Sequence, residues 1–227
     1  MKQQHFVKKT AALTLALGAL AEPAWAVTNI TQCQTITKPG SYKLTKNLTA
    51  PGTCLSIKAS QVTLDLNGYT LSGNGKGVGV IDASGQIGDQ TEITVRNGAI
   101  IGFNFGVGLG STQNAVVEGL EVGRNAGGIF LLTGRAEANT VHDNAGKGIE
   151  GFEGITAKNN LVLDNQGNGI SGGPGSILTD NLVAGNGNGI AARGNAPAPF
   201  PRATPSCVAT WRRTIKVRGY PWPVPHS

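Results

Sequence analysis

Aromatic side chains make up only 5% of this 227-residue chain, and histidine and cysteine contribute three residues each. No cluster of His and Cys has the spacing of a transition-metal site. No Ser-His-Asp set stands out, and the glycine-rich run Gly73 to Gly79 leads into no helical pattern, which excludes a phosphate-binding loop. No apolar run is long enough to cross a bilayer, the short one in the first residues included. In the main body only Phe103, Phe105, Phe130 and Phe152 offer rings to stack on a sugar, which counts against carbohydrate binding.

An excess of positive charge is also missing from the body of the chain, although the formal net charge is +6. Lys2, Lys8, Lys9 and Glu22 lie in the first 26 residues, and Arg202, Arg212, Arg213, Lys216 and Arg218 lie near the other end. Residues 27–195 then hold eleven basic against twelve acidic residues, a net charge of −1. That region has no general attraction for polyanions, so no nucleic-acid partner is expected of it.

What is present is a repeat. Asn139, Asn160 and Asn181 stand 21 apart, as do Asn144, Asn165 and Asn186. An apolar column, Leu120, Val141, Val162 and Val183, follows the same step, and the pairs Gly128-Ile129, Gly148-Ile149, Gly169-Ile170 and Gly189-Ile190 keep close to it. Such a period, with one or two apolar columns and no room for a long helix, indicates a solenoid. A leucine-rich repeat would carry several Leu per unit, whereas these units carry one Val, one Ile and many Gly and Asn. Short apolar alternations bounded by Gly and Asn predict strands, hence an all-β solenoid. The recurring Asn is expected to mark a left-handed corner, and stacked coils would let Asn amides bond to one another. The Gly before each Ile is expected at a second corner, where φ is positive or backbones crowd.

The run Ile36-Thr37-Lys38-Pro39-Gly40-Ser41-Tyr42-Lys43-Leu44, then Asn47-Leu48 and Val62-Thr63-Leu64-Asp65-Leu66-Asn67-Gly68, resembles bacterial secreted right-handed parallel β-helix proteins of the pectate-lyase-like superfamily. The resemblance covers roughly residues 33 to 195 and implies an N-terminal cap with coils of about 21 residues. It is specific for fold and nearly silent on activity. Lyases of that superfamily hold Ca²⁺ with several carboxylates and use a basic residue to take the proton beside a uronate carboxylate. Its hydrolases use a trio of aspartates. The hydrolase signatures Asn-Thr-Asp, Asp-Asp, Gly-His-Gly and Arg-Ile-Lys are absent here, as is the Asp-Pro-His-Asp motif of the related alginate epimerases.

Taken in order, residues 1–26 have a positive start, a short apolar core and a small-x-small site at Ala24-Trp25-Ala26, the pattern of a secretory signal. Export to the periplasm or beyond follows, with no membrane span once the signal is removed. Cys33 and Cys54 either form a bridge that ties the cap, contributing about 3 kcal/mol by loop closure, or remain buried thiols; export favours the bridge. Cys207 is left over. Residues 73–90 interrupt the repeat and predict an extruded loop around a short strand at Val78 to Ile81. Regular coils resume at Ile93 and continue to about Asn195. Residues 196–227 hold seven of the eleven prolines and none of the columns, so they cannot add a coil. A disordered tail and a frameshifted one are the two readings, and an uncovered last coil would favour self-association.

A step of 21 also stacks polar residues. Asp143 falls over Asp164, a pair able to share a proton or hold Ca²⁺. Glu137 falls over Lys158 as a surface ion pair, and Glu121 over His142, the one histidine of the coils. Candidate catalytic residues are therefore Asp143, Asp164, His142, Lys147 and Lys158, with Asp143 and Asp164 as candidate metal ligands. The plainer reading is that both aspartates cap corner amides and His142 is a turn residue. Three functions are consistent with these residues: an exported β-helix protein that binds a polysaccharide, a Ca²⁺-dependent polysaccharide lyase, or an inactive remnant of a longer β-helix.

Overall fold

The structure, a computed structural model, describes residues 26–192. The signal-like residues 1–25, Cys207 and the proline-rich segment 196–227 lie outside the described residues. Among the described residues the chain forms 23 strands and no helix. They assemble into a 13-stranded sheet, an eight-stranded sheet and one isolated strand pair, with every pairing parallel. Each strand of the eight-stranded sheet pairs with the strand one coil away, from Gln34–Ile36 to Asn188–Ala192, so the molecule is a parallel β-helix of eight coils.

Three apolar columns fill it. Leu55, Val80, Val107, Ile129, Ile149 and Ile170 stack on one wall. On the opposite walls stand Leu64, Val95, Val117, Ala136 and Ala157, and Leu71, Ile100, Val122, Val141, Val162 and Val183. All are buried, at roughly 1.5–3 kcal/mol for each larger aliphatic side chain. The expected column through Leu120 is corrected here: Val141 pairs with Val122, because the coil between them is 19 residues long and not 21.

The Asn columns stand inside the coil and not at its corners. Asn139, Asn144, Asn160 and Asn165 are buried. Left-handed φ belongs instead to the residue before each, namely Ala138, Asp143, Asn159 and Asp164. Asn144 shows the logic: its Oδ1 accepts from the Asn125 backbone N–H at 3.0 Å and the Asn125 Nδ2 at 3.2 Å, while its Nδ2 donates to Val122 O and to Asn165 Oδ1. One buried amide thus replaces the ladder bonds that the chain loses on turning a corner. The second column runs likewise from Asn139 through Asn160 to Asn181.

Glycine precedes the Ile column because of crowding, and none of Gly106, Gly128, Gly148 or Gly169 has positive φ. A Cβ at Gly128 would stand 2.2 Å from Gly148 O and 3.0 Å from Val141 Cγ1. Gly128→Ala is therefore expected to cost about 1–3 kcal/mol by overpacking and lower the unfolding midpoint by roughly 5 °C, read by circular dichroism.

Three further expectations meet the structure here. Cys33 and Cys54, 21 residues apart, are joined in a disulfide across the first coil. The strand Val78–Asp82 is an ordinary member of the eight-stranded sheet, paired with Leu55–Ile57 and Phe105–Leu109, so the loop that leaves the coil is confined to residues 83–89. Glu137 and Lys158 are register partners, yet the ion contacts on that face are Arg96–Asp65 at 3.3 Å and Arg135–Glu118 at 3.7 Å among the described residues.

Candidate functional site

The residues singled out by stacking are distributed over three places. Asp143 and Asp164 occupy successive corners with φ of 54° and 52°, a conformation that short polar side chains tolerate better than most. Asp143 Oδ2 bonds His142 Nδ1 at 2.8 Å within its own coil. Asp164 Oδ1 lies over the next coil, where a Cβ at Gly185 would stand 1.9 Å from it. Among the described residues no group of three His, Cys, Asp or Glu side chains is arranged to hold a metal ion. Lys147 pairs with Glu150 beside the eight-stranded sheet, and Lys158 stands on the 13-stranded sheet.

His142 reaches Glu121 with Nε2 at 3.2 Å, but not through the expected register. Its register neighbour is Gly123, which has no side chain, so the ring lies over that glycine and crosses diagonally to Glu121. Burial lowers the histidine's proton affinity, and the hydrogen bonds and charges of Asp143 and Glu121 more than offset it, leaving the pKa above 6.5. A raised folded-state pKa makes this cluster stabilising below the unfolded value of 6.5, with the contribution lost as pH rises through the folded value. Glu121→Gln is expected to lower the His142 pKa in an NMR titration and to flatten the pH dependence of stability above 6.5.

A concavity lies on the outer face of the eight-stranded sheet. An open groove of about 460 Å³ runs between the strand Val78–Asp82 and the 83–89 loop, walled by Phe105 and Phe130. A second hollow of about 210 Å³ adjoins it across Phe105 and is bordered by Gly127, Lys147 and Glu150. Glycine makes the floor flat. The Phe105 ring lies over Gly127, where a Cβ would stand 2.4 Å from its Cε1, and the Phe130 ring lies over Gly110 at the same separation. Both residues line the groove, and Phe105 is 37% exposed.

Asp82, in the wall of this groove, turns its side chain inward. It follows Ile57 in a column that otherwise faces the core, and its carboxylate takes the space of an aliphatic side chain. Oδ2 accepts from the Ser111 N–H at 2.6 Å and from Thr112 Oγ1 at 2.8 Å. Burial raises the Asp82 pKa, with those hydrogen bonds opposing the rise in part. Gln90 is buried in the coil wall that Thr112 extends, with Nε2 donating to Ile57 O at 3.0 Å and Oε1 unpartnered. The available signal was a polar residue closing the apolar alternation of Val78–Asp82. The other half of the site, Ser111 and Thr112, lies one coil away at an irregular step and cannot be found from spacing.

The sequence matches the family model described as right handed beta helix region over residues 53–200. No curated protein and no solved structure matches.

Proposed function

This chain belongs to the right-handed β-helix family, and from that premise we propose that it binds a saccharide chain in the groove on its eight-stranded sheet. The observation that carries the reading is the placement of Phe105 and Phe130, each packed against a glycine in the lining of an open groove on the outer face of the sheet. A sugar ring offers an apolar C–H face to an aromatic ring and hydroxyl donors to a carboxylate, and mostly apolar walls with one or two placed polar groups are what such ligands require. Scarcity of aromatics elsewhere does not weaken this, because two of the few sit together. An open-ended groove running across coils suits a polymer better than a small metabolite. Residues 1–26 and the Cys33–Cys54 disulfide support a place outside the cytoplasm, where such polymers are met.

Affinity electrophoresis through gels cast with individual polysaccharides tests the reading. Retardation by at least one polymer, lost in Phe130→Ala, is the expected result. Equal mobility in every gel contradicts it.

A further inference from the structure

The last described coil leaves apolar columns and asparagine ladders unfinished. The three columns end on Leu178, Val183 and Ile190. Val183 is 8% exposed where Val162 beneath it is 0%, and Leu178 and Ile190 are only partly buried where Ala157 and Ile170 are fully buried. Ile177 and Leu182, exposed at 58% and 49%, extend this apolar end along its rim. Both ladders stop at the same level. Asn181 and Asn186 accept with Oδ1 from the N–H groups of Asn160 and Asn165 at 3.0 and 2.9 Å. Their own backbone N–H groups meet no further asparagine, and among the described residues nothing accepts from them. Such an end presents core and unpaired strand groups together, which is a template for another strand.

We propose that residues 193–227 of the same chain cover this end as a cap that adds no coil. They leave directly from the last strand, Asn188–Ala192, and are longer than one 21-residue coil, so they can cross the open end and return. Their chemistry is what the end lacks. Phe200, Trp211, Ile215, Val217, Tyr220 and Trp222 supply apolar cover for Leu178, Val183 and Ile190. Seven prolines bring carbonyl acceptors, which Asn181 and Asn186 need, without the N–H groups that would let a further strand pair. Charge matches as well. Residues 193–227 hold six Lys and Arg and no Asp or Glu, whereas Asp164 and Asp180 stand exposed at corners of the last two coils, with no ion-pair partner among the described residues. A second copy docked end to end in isologous fashion would set the unfilled asparagine donors of the two copies against each other, and each copy would still lack acceptors.

Tryptophan fluorescence tests the cap, because residues 26–192 contain no tryptophan and Trp211 and Trp222 both lie in the proposed cap. The full chain carrying Trp25→Phe and Cys207→Ser, the second to prevent cross-linking, is quenched with acrylamide while sedimentation velocity reports its mass. Quenching about threefold weaker in the native protein than in the same protein unfolded in guanidinium, in a monomer, is the expected result. Asp180→Arg with Leu182→Arg, both at exposed positions, turns the rim basic against a basic segment. This pair is expected to raise quenching nearly to the unfolded level while the far-UV circular dichroism of the coils is unchanged. Tryptophans as open to acrylamide in the native state as in the unfolded one overturn the inference, and so does protection that the rim variant leaves untouched, which would place the segment elsewhere. Protection that appears only in a dimer and is lost on dilution overturns it in favour of a second copy.

Discussion

Asn144→Ala is expected to lower the unfolding midpoint by about 10 °C, the largest effect of any single substitution in the coils. Asn144 is fully buried and its amide makes four hydrogen bonds. Truncation strands the Asn125 N–H and the Val122 carbonyl in a dry interior and removes one of the two donors to the Asn165 amide oxygen, which keeps the backbone N–H of residue 144. At about 1–3 kcal/mol for each stranded group the loss is roughly 3–5 kcal/mol, and a chain of this size shifts by about 2–4 °C per kcal/mol. Asn144→Asp is no rescue, since it sets a charged acceptor against Val122 O and Asn165 Oδ1. Asn159→Gly is the contrasting substitution: the residue is an exposed left-handed corner that glycine adopts freely, and a change within about 0.5 kcal/mol is expected. Thermal melts of the three variants check the argument. Similar small shifts for Asn144→Ala and Asn159→Gly would show that the buried ladder contributes little.

The second large effect concerns ligand and not stability. Phe105→Ala with Phe130→Ala is expected to reduce saccharide affinity by at least a hundredfold. Both rings line the groove, and losing a stacked aromatic surface costs about 1.4 kcal/mol or more, a factor of ten apiece. Because both rings lie on the outer face of the sheet, outside the apolar columns, the double variant is expected to melt within a few degrees of the unaltered chain. Calorimetric titration with whichever hexasaccharide binds the unaltered protein provides the number. Retained affinity would move the ligand elsewhere on the molecule.

The parts of this structure that could be read from the sequence are those built by repetition. The steps among Asn139, Asn160 and Asn181, and among the Gly-Ile pairs, carry the coil length and the strand class directly, because stacked coils place like residues at like positions. Where the step changes, the reading slips. Asn125 heads the ladder above Asn144 and Val122 precedes Val141 in its column, and a 19-residue coil, which a fixed step of 21 skips over, hides both. The ladder asparagines read as the corner itself, whereas the left-handed residue is the one before, which varies among Ala, Asp and Asn. The groove was the least legible. Its acid, Asp82, depends on Ser111 and Thr112, 29 and 30 residues away across the most irregular coil, and its aromatic walls matter only through the glycines beneath them.

The most direct test of saccharide binding in this groove is a titration of ¹⁵N-labelled protein with a neutral hexasaccharide followed by amide chemical shifts. The account expects saturable changes clustered at Asp82, Phe105, Ser111 and Phe130, with the corners at Asp143 and Asp164 unmoved. Changes centred on Asp143 and Asp164, or none with any neutral hexasaccharide, would contradict it.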